Sequence, residues 1–162
     1  SGVTVAYVGD GNNVAHSLML AAAISGMTLR VCTPPGYEPD SKVLDLIGDR
    51  YAQHAVTVGN DTDEALRDAQ VVYTDVWTSM GQEAESKKRL KAFKKYQVNM
   101  GLLKLAAPGC KVMHCLPAHG GEEITDDILD GERSIVYDQA ENRLHAQKAV
   151  LALLMGEGDH GG

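Results

Sequence analysis

No run of 18 apolar residues occurs in the 162-residue sequence, so no segment of it could cross a bilayer as a helix. Paired C-x-x-C spacing is also missing. Cys32, Cys110 and Cys115 are odd in number, which argues against a structural zinc site. With no apolar signal segment at its start, the chain is expected in a reducing, cytoplasmic setting. Basic residues are outnumbered, 15 Lys and Arg against 22 Asp and Glu, and a net charge of −7 makes a poor general binder of nucleic acid. The one basic cluster, Lys87, Lys88, Arg89, Lys91, Lys94 and Lys95, carries few aromatics beyond Phe93 and Tyr96 and reads as a solvated helix face. What remains is ordinary: 44% hydrophobic and 23% charged residues suit a soluble globular domain. A chain of this length can bury roughly 70% of its unfolded surface without staples. Ser1 stands where an initiator Met would be and Val3 opens a strand at once, so the chain is expected to be part of something longer.

Short apolar runs alternate with segments of helical period. Strands are expected at Val3 to Val8, Thr28 to Cys32, Ala55 to Val58, Gln70 to Thr74 and Lys111 to Cys115, with a last short one at Ser134 to Tyr137. Between them, Val14, Leu18, Ala21 and Ala22 recur at helical spacing up to Gly26, and Asp40 can cap a helix whose inner face is Val43, Leu46 and Ile47. Further helices are expected at Asp61 to Arg67, Glu83 to Tyr96, Asn99 to Leu105 and Asp126 to Leu129. A final one from Ala140 to Met155 aligns Ala140, Leu144, Leu151 and Leu154 and stops at Gly156. Strands that are continuously apolar and separated by helices imply an α/β fold, a doubly wound parallel sheet with helices on both faces. The domain is expected over 1–156, with a disordered Gly-rich tail at 157–162.

Ligands of such sheets bind beyond the carboxyl ends of the strands, so four strand ends carry the functional reading. Gly9-Asp10-Gly11-Asn12-Asn13 has two glycines of a dinucleotide turn but lacks the third, and the second strand ends without an acidic ribose ligand. Asn12 and Asn13 suit helix capping, with at least one side chain free to face the crevice. Asp75-Val76-Trp77-Thr78-Ser79-Met80-Gly81 puts a carboxylate at a strand tip before a glycine-hinged loop, which suits a cation site as well as a plain surface loop. His114-Cys115-Leu116-Pro117 brings a thiol to the same edge. Neighbouring strand residues point to opposite faces, which disfavours a Cys–His nucleophilic pair. Cys115 is then either inert core or a partner of Asp75 around one amine. Asp138 and Glu141 suit a helix N-terminus, whereas Arg143 there binds an anion or pairs with one of those two acids.

Together and in this order, Gly-Asp-Gly-Asn-Asn at 9–13, Asp-Val-Trp-Thr-Ser-Met-Gly-Gln at 75–82, His-Cys-Leu-Pro at 114–117 and Ala-Glu-Asn-Arg at 140–143 resemble the C-terminal domain of ornithine carbamoyltransferases. The resemblance covers essentially the whole chain. It favours L-ornithine over the acceptors of the aspartate and acetylornithine enzymes, which differ at His-Cys-Leu-Pro. It implies that Asn13, Asp75, Ser79 and Met80 hold ornithine, that Cys115 meets its side-chain amine, and that Leu116 and Arg143 contact carbamoyl phosphate. Asp75, Cys115 and Arg143 would be the catalytic residues, with no metal or organic cofactor.

Two departures from the family stand out. The N-terminal domain with its Ser-Thr-Arg-Thr-Arg phosphate segment is missing, so the chain alone is expected to be inactive. Gly120 stands where many relatives carry Arg. The full-length protein is expected to be a homotrimer or a multiple of one. In the family the last helix packs on the missing domain, so the isolated chain should expose an apolar patch and self-associate. The competing readings are a stand-alone amino-acid-binding module and a nicotinamide-binding oxidoreductase domain.

Overall fold

The computed structural model describes residues 2–51, 55–78 and 83–155. Five parallel strands form one sheet: β1 (Thr4–Val8), β2 (Thr28–Cys32), β3 (Val56–Gly59), β4 (Val71–Thr74) and β5 (Lys111–His114). Their order is β3-β2-β1-β4-β5, so the chain winds one way from β1 and then back, with the reversal between β1 and β4. Registers Val5↔Val71 and Tyr7↔Tyr73 bring the carboxyl ends of those two strands side by side. Both faces are covered, and alternate strand residues serve opposite cores. Ala6, Val8, Val72 and Val112 pack with Leu66, Leu103 and Ile124 on one side. Tyr7, Leu29, Val31 and Tyr73 pack with Met19 and Ile47 on the other.

The helices are α1 (Asn13–Ser25), α2 (Ser41–Arg50), α3 (Thr62–Leu66), α4 (Ser86–Phe93, flanked by 3-10 turns), α5 (Met100–Leu103), α6 (Asp126–Leu129) and α7 (Val136–Met155). Asn12, Asp40, Asp61 and Asn99 cap the first, second, third and fifth with their side chains. Gly26 closes α1 in the left-handed region at φ 73°, its N–H on the Ala22 carbonyl.

Three expectations need correction. In α1 the expected Ala21 is exposed; Ala22 is buried as expected and is joined by Ala15 and Met19, while Val14 and Leu18 are partly buried against the same core. Small residues there let the helix lie close on the sheet. In α2 the exposed Leu46 gives way to Leu44, which packs beside Val43 and Ile47. Most consequentially, Ser134 to Tyr137 forms no strand. Ser134 makes a single bridge to Val112. Gln139 N–H then donates to the Ile135 carbonyl at 2.9 Å, which starts α7 four residues before Ala140. Of α7 only Val136 is buried, and Ala140, Leu144, Leu151 and Leu154 stand in the open, with Leu154 at 78% exposure. The expected tail at 157–162 lies outside the described residues.

Gly11 holds the turn after β1 against the segment before α2. Its N–H donates to the Tyr37 carbonyl at 2.9 Å, and a Cβ would press on backbone atoms of Glu38 and Pro39. Neither neighbour is a side-chain end that could swing away. Gly11→Ala is therefore expected to cost about 2 kcal/mol or more, read as a lower denaturation midpoint at unchanged m value. With its N–H on the Tyr37 carbonyl, Gly11 has no free backbone donor to offer a dinucleotide pyrophosphate.

Candidate active site at the strand reversal

Two carboxylates sit side by side where the strand order reverses, Asp10 after β1 and Asp75 after β4, both buried. The chain treats them differently. Asp10 forms an ion pair with Arg89, which is itself only 4% exposed. The Arg89 Nε–H donates to the Trp77 carbonyl at 2.6 Å, and its guanidinium lies 4.8 Å from the Tyr37 ring centroid and 5.4 Å from that of Phe93. Burial pushes the Asp10 carboxyl up, and Arg89 pulls it back. The solvated basic face expected for α4 is thus split. Lys87, Lys88, Lys91, Lys94 and Lys95 are exposed, whereas Arg89 and Phe93, four residues apart, form the inner edge.

Asp75 has no such cation among the described residues. Its Oδ2 accepts from Asn12 Nδ2 at 2.9 Å, and its Oδ1 accepts from the Cys115 thiol at 2.9 Å and from the Val76 N–H at 2.8 Å. Asn12 does double duty, because its Oδ1 caps α1 on the N–H groups of Val14 and Ala15 at 2.9 and 3.2 Å. With Asn12 as the cap, Asn13 is left as the first, exposed residue of the helix. Burial and the Asp75 carboxylate push the Cys115 thiol up to about 12, and burial also raises Tyr7 and Tyr73. The groups that hydrogen-bond Asp75, namely Asn12, the Cys115 thiol and the Val76 N–H, are therefore all neutral at physiological pH, while Asp10 beside it is paired with Arg89. A cation is the ligand such a site accepts.

The Cys115 assignment can be checked directly. A thiol held near 12 has on the order of a thousandfold less thiolate at pH 8 than an ordinary cysteine. Alkylation of Cys115 by iodoacetamide should therefore be about a hundredfold or more slower than in a short peptide, since the greater nucleophilicity of a more basic thiolate offsets part of the loss, and should keep accelerating well above pH 9. Asp75→Asn should speed it. Alkylation at the peptide rate would contradict the thiol–carboxylate bond.

Leu116 is fixed by its neighbours. The Leu116 N–H donates to His114 Nδ1 at 2.9 Å, so His114 carries its proton on Nε2, which faces Glu123 Oε1 at 3.1 Å. Leu116 then turns through φ 55° into a cis peptide bond with Pro117. Asp75, His114 and Cys115 come near enough to share a metal ion, but both His114 ring nitrogens are already engaged.

Of the residues expected in the site, the structure joins Asp75 to Cys115, which Leu116 follows in the chain, and leaves Asn13 exposed at the start of α1 next to Asn12. Ser79 and Met80 lie outside the described residues. Arg143 is two turns into α7 rather than in its first turn, because the helix starts at Val136. It is exposed and makes no ion pair among the described residues, while Glu141 pairs with His145 at 3.6 Å. The start of α7 still belongs to the site: Gln139 Nε2 donates to the Tyr73 hydroxyl at 3.0 Å and its Oε1 accepts from His114 N–H at 3.0 Å. Arg143 lies one turn beyond Gln139 on that face. Sequence reading missed Arg89, Gln139 and Glu123. Only the first left a signal, the four-residue spacing from Phe93.

Residues 1–154 match the family described as aspartate/ornithine carbamoyltransferase, Asp/Orn binding domain. The anabolic ornithine carbamoyltransferase of Pyrococcus furiosus is 57% identical over 157 residues, covering 96% of this chain and 50% of that protein. The ornithine carbamoyltransferase of Gloeobacter violaceus is 55% identical over 160 residues, with the same coverage. Among solved structures, the P. furiosus enzyme superposes with a TM-score of 0.90 at 56% identity over 98% of this chain and 51% of its own. The Giardia lamblia ornithine transcarbamoylase gives 0.87 at 34% identity, over 97% and 52%. The chain spans about half the length of the curated relatives it matches.

Proposed function

The chain belongs to the aspartate/ornithine carbamoyltransferase family, as its Asp/Orn-binding domain, and on that premise we propose that it is the ornithine-binding half of an ornithine carbamoyltransferase. The observation that carries the reading is Asp75, a buried carboxylate at the strand reversal, oriented by Asn12 and Cys115 and without a cation of its own among the described residues. The names of the relatives support ornithine as the acceptor.

A primary amine with a pKa of about 10.4 is neutral in about 1 molecule in 2,500 at pH 7. An acceptor site must hold the cation and then help it lose a proton. Asp75 attracts the ammonium group, and Cys115 lies beside the side-chain amine. Asn13 with Ser79 and Met80 holds the α-carboxylate and α-amine end. The neutral amine attacks the carbamoyl carbon of carbamoyl phosphate, the C–O bond to phosphate breaks, the amine's proton passes to the departing phosphate, and citrulline and phosphate result. The Leu116 carbonyl and Arg143 contact carbamoyl phosphate, and Arg143 steadies the negative charge that develops on the leaving group. The remaining contacts to carbamoyl phosphate belong to the other half of the enzyme, in a homotrimer or a multiple of one. The three free cysteines suit a reducing, cytoplasmic setting. No described helix is long and apolar enough to cross a membrane.

The isolated chain is expected to form no citrulline from ornithine and carbamoyl phosphate at an enzyme-like rate, and ordinary turnover by it would contradict the proposed division of labour. Calorimetry with ornithine separates a pre-formed pocket, which binds alone, from one that binds only with carbamoyl phosphate and the other half present. The open leucines of α7 add a prediction. Leu144, Val150, Leu151, Leu153 and Leu154 are all more than half exposed, a patch suited to packing on that other half. Alone, the chain should self-associate, and Leu151→Asp with Leu154→Asp should return it to monomer in sedimentation. A strictly monomeric unaltered chain at high concentration would refute this.

A further inference from the structure

We propose that His119, Glu122 and Glu123 form a second, separate site, which binds one divalent transition-metal ion beside the loop that follows β5. The starting observation is Glu123, fully buried at 0% exposure. Its Oε1 accepts from His114 Nε2 at 3.1 Å and from the His119 N–H at 2.6 Å. Its Oε2 is also buried and has no hydrogen-bond partner among the described residues. A buried carboxylate oxygen left in that state is destabilising unless something covers it. The group that covers it is the His119 ring, whose Nδ1 lies 3.8 Å away. That is too long for a hydrogen bond. Two ligand bonds of about 2.1 Å meeting at a tetrahedral angle span about 3.4 Å, so a shift of a few tenths of an ångström closes the gap onto one ion.

Glu122 supplies the third donor. One donor atom from each of the three residues lies within 4.8 Å of the other two. The backbone does the gathering: Glu122 N–H donates to the His119 carbonyl at 3.0 Å and Gly121 N–H to that of Ile124 at 2.9 Å, which brings residues spaced three and four apart to one side of a turn. The His119 side chain is 54% exposed, so an ion can arrive from solvent and keep a water as its fourth ligand. One imidazole and two carboxylates, without thiolate, suit zinc, cobalt or nickel better than calcium or magnesium. Through Glu123 and His114 the ion would hold the segment from Leu116 to His119 in place, as outer hydrogen bonds do around metal ligands.

Cobalt(II) titration followed by optical absorption tests the site. The unaltered chain should take up one ion with the visible d–d bands of four-coordinate cobalt and no intense thiolate-to-cobalt band in the near ultraviolet. His119→Ala and Glu122→Gln, both at the surface side of the cluster, should each weaken uptake about tenfold or more, while Cys115→Ser leaves it unchanged. Thermal unfolding of the variants without metal serves as the control for folding. Absence of saturable uptake by the unaltered chain would overturn the proposal. So would uptake that shows a thiolate band and disappears in Cys115→Ser, which would place the ion at Asp75, His114 and Cys115 instead.

Discussion

Arg89→Ala is expected to destabilise the chain by about 3–5 kcal/mol, the range for removing one partner of a buried ion pair. The effect has three parts. Asp10, only 6% exposed, loses its counter-charge while Asp75 remains beside it, and that neighbour already raises the Asp10 carboxyl. The Trp77 carbonyl loses the Arg89 Nε–H, and the rings of Tyr37 and Phe93 lose the guanidinium that lies over them. Arg89→Lys keeps the charge without the planar fork and should recover only part of the loss. Replacing both partners, Asp10→Leu with Arg89→Met, should be milder than Arg89→Ala alone, because no charge is left buried and unpaired. Denaturant unfolding of the three variants reads each value as a shift in midpoint at constant m. A loss below about 1 kcal/mol in Arg89→Ala, the size of a surface pair, would show that Arg89 is solvated in solution.

Asp75→Asn is expected to lower affinity for ornithine about a hundredfold or more, in whichever setting the unaltered chain binds it. A carboxamide matches the carboxylate in shape and its oxygen can still accept from Asn12 Nδ2, leaving the Asn12 Oδ1 cap on α1 in place, so the fold should survive. What it cannot do is neutralise an ammonium group away from water, and a hundredfold corresponds to about 2.7 kcal/mol. Calorimetry gives the affinity. Faster alkylation of Cys115 in the same variant reports that the carboxylate has gone from beside the thiol. Ornithine binding within threefold of the unaltered chain would remove Asp75 from the proposed site. Cys115→Ser should have a smaller effect on affinity, since the thiol is neutral and a hydroxyl can also donate to Asp75.

The contrast between Asp10 and Asp75 shows what a sequence can and cannot display. Strands buried on both faces of a parallel sheet are continuous apolar runs, so β1 to β5 were readable within a residue or two, and with them the edge at which Asp75 and Cys115 meet. The Asp40 cap was equally open to reading, because Asp40 stands just before an apolar-periodic segment, whereas Asp61 and Asn99, expected as the first residues of their helices, turn out to cap them. The last strand was misread for a physical reason. Ser134 to Tyr137 has strand-like composition but pairs at one residue only, after which the Gln139 N–H finds the Ile135 carbonyl and the helix takes over. That early start is also why Arg143 sits two turns in.

Within the site, the limits were set by long-range partners. Nothing local marks Arg89 as the counter-ion of a residue 79 positions away, nor Glu123 as the support of His114. Asn12 and Asn13 are adjacent and alike, and only the hydrogen bonds to Val14 and Ala15 show which one caps the helix.

Joining this chain to the unmatched half of the P. furiosus ornithine carbamoyltransferase, whose matched half is 57% identical, tests the proposed function most directly. The quantity to measure is carbamoyl transfer from carbamoyl phosphate to ornithine and, in parallel, to aspartate. The expected result is citrulline from ornithine with little product from aspartate, abolished by Asp75→Asn. Transfer to aspartate in preference to ornithine, or no transfer to ornithine by a hybrid that folds and binds carbamoyl phosphate, would contradict the assignment of this chain as an ornithine-binding half.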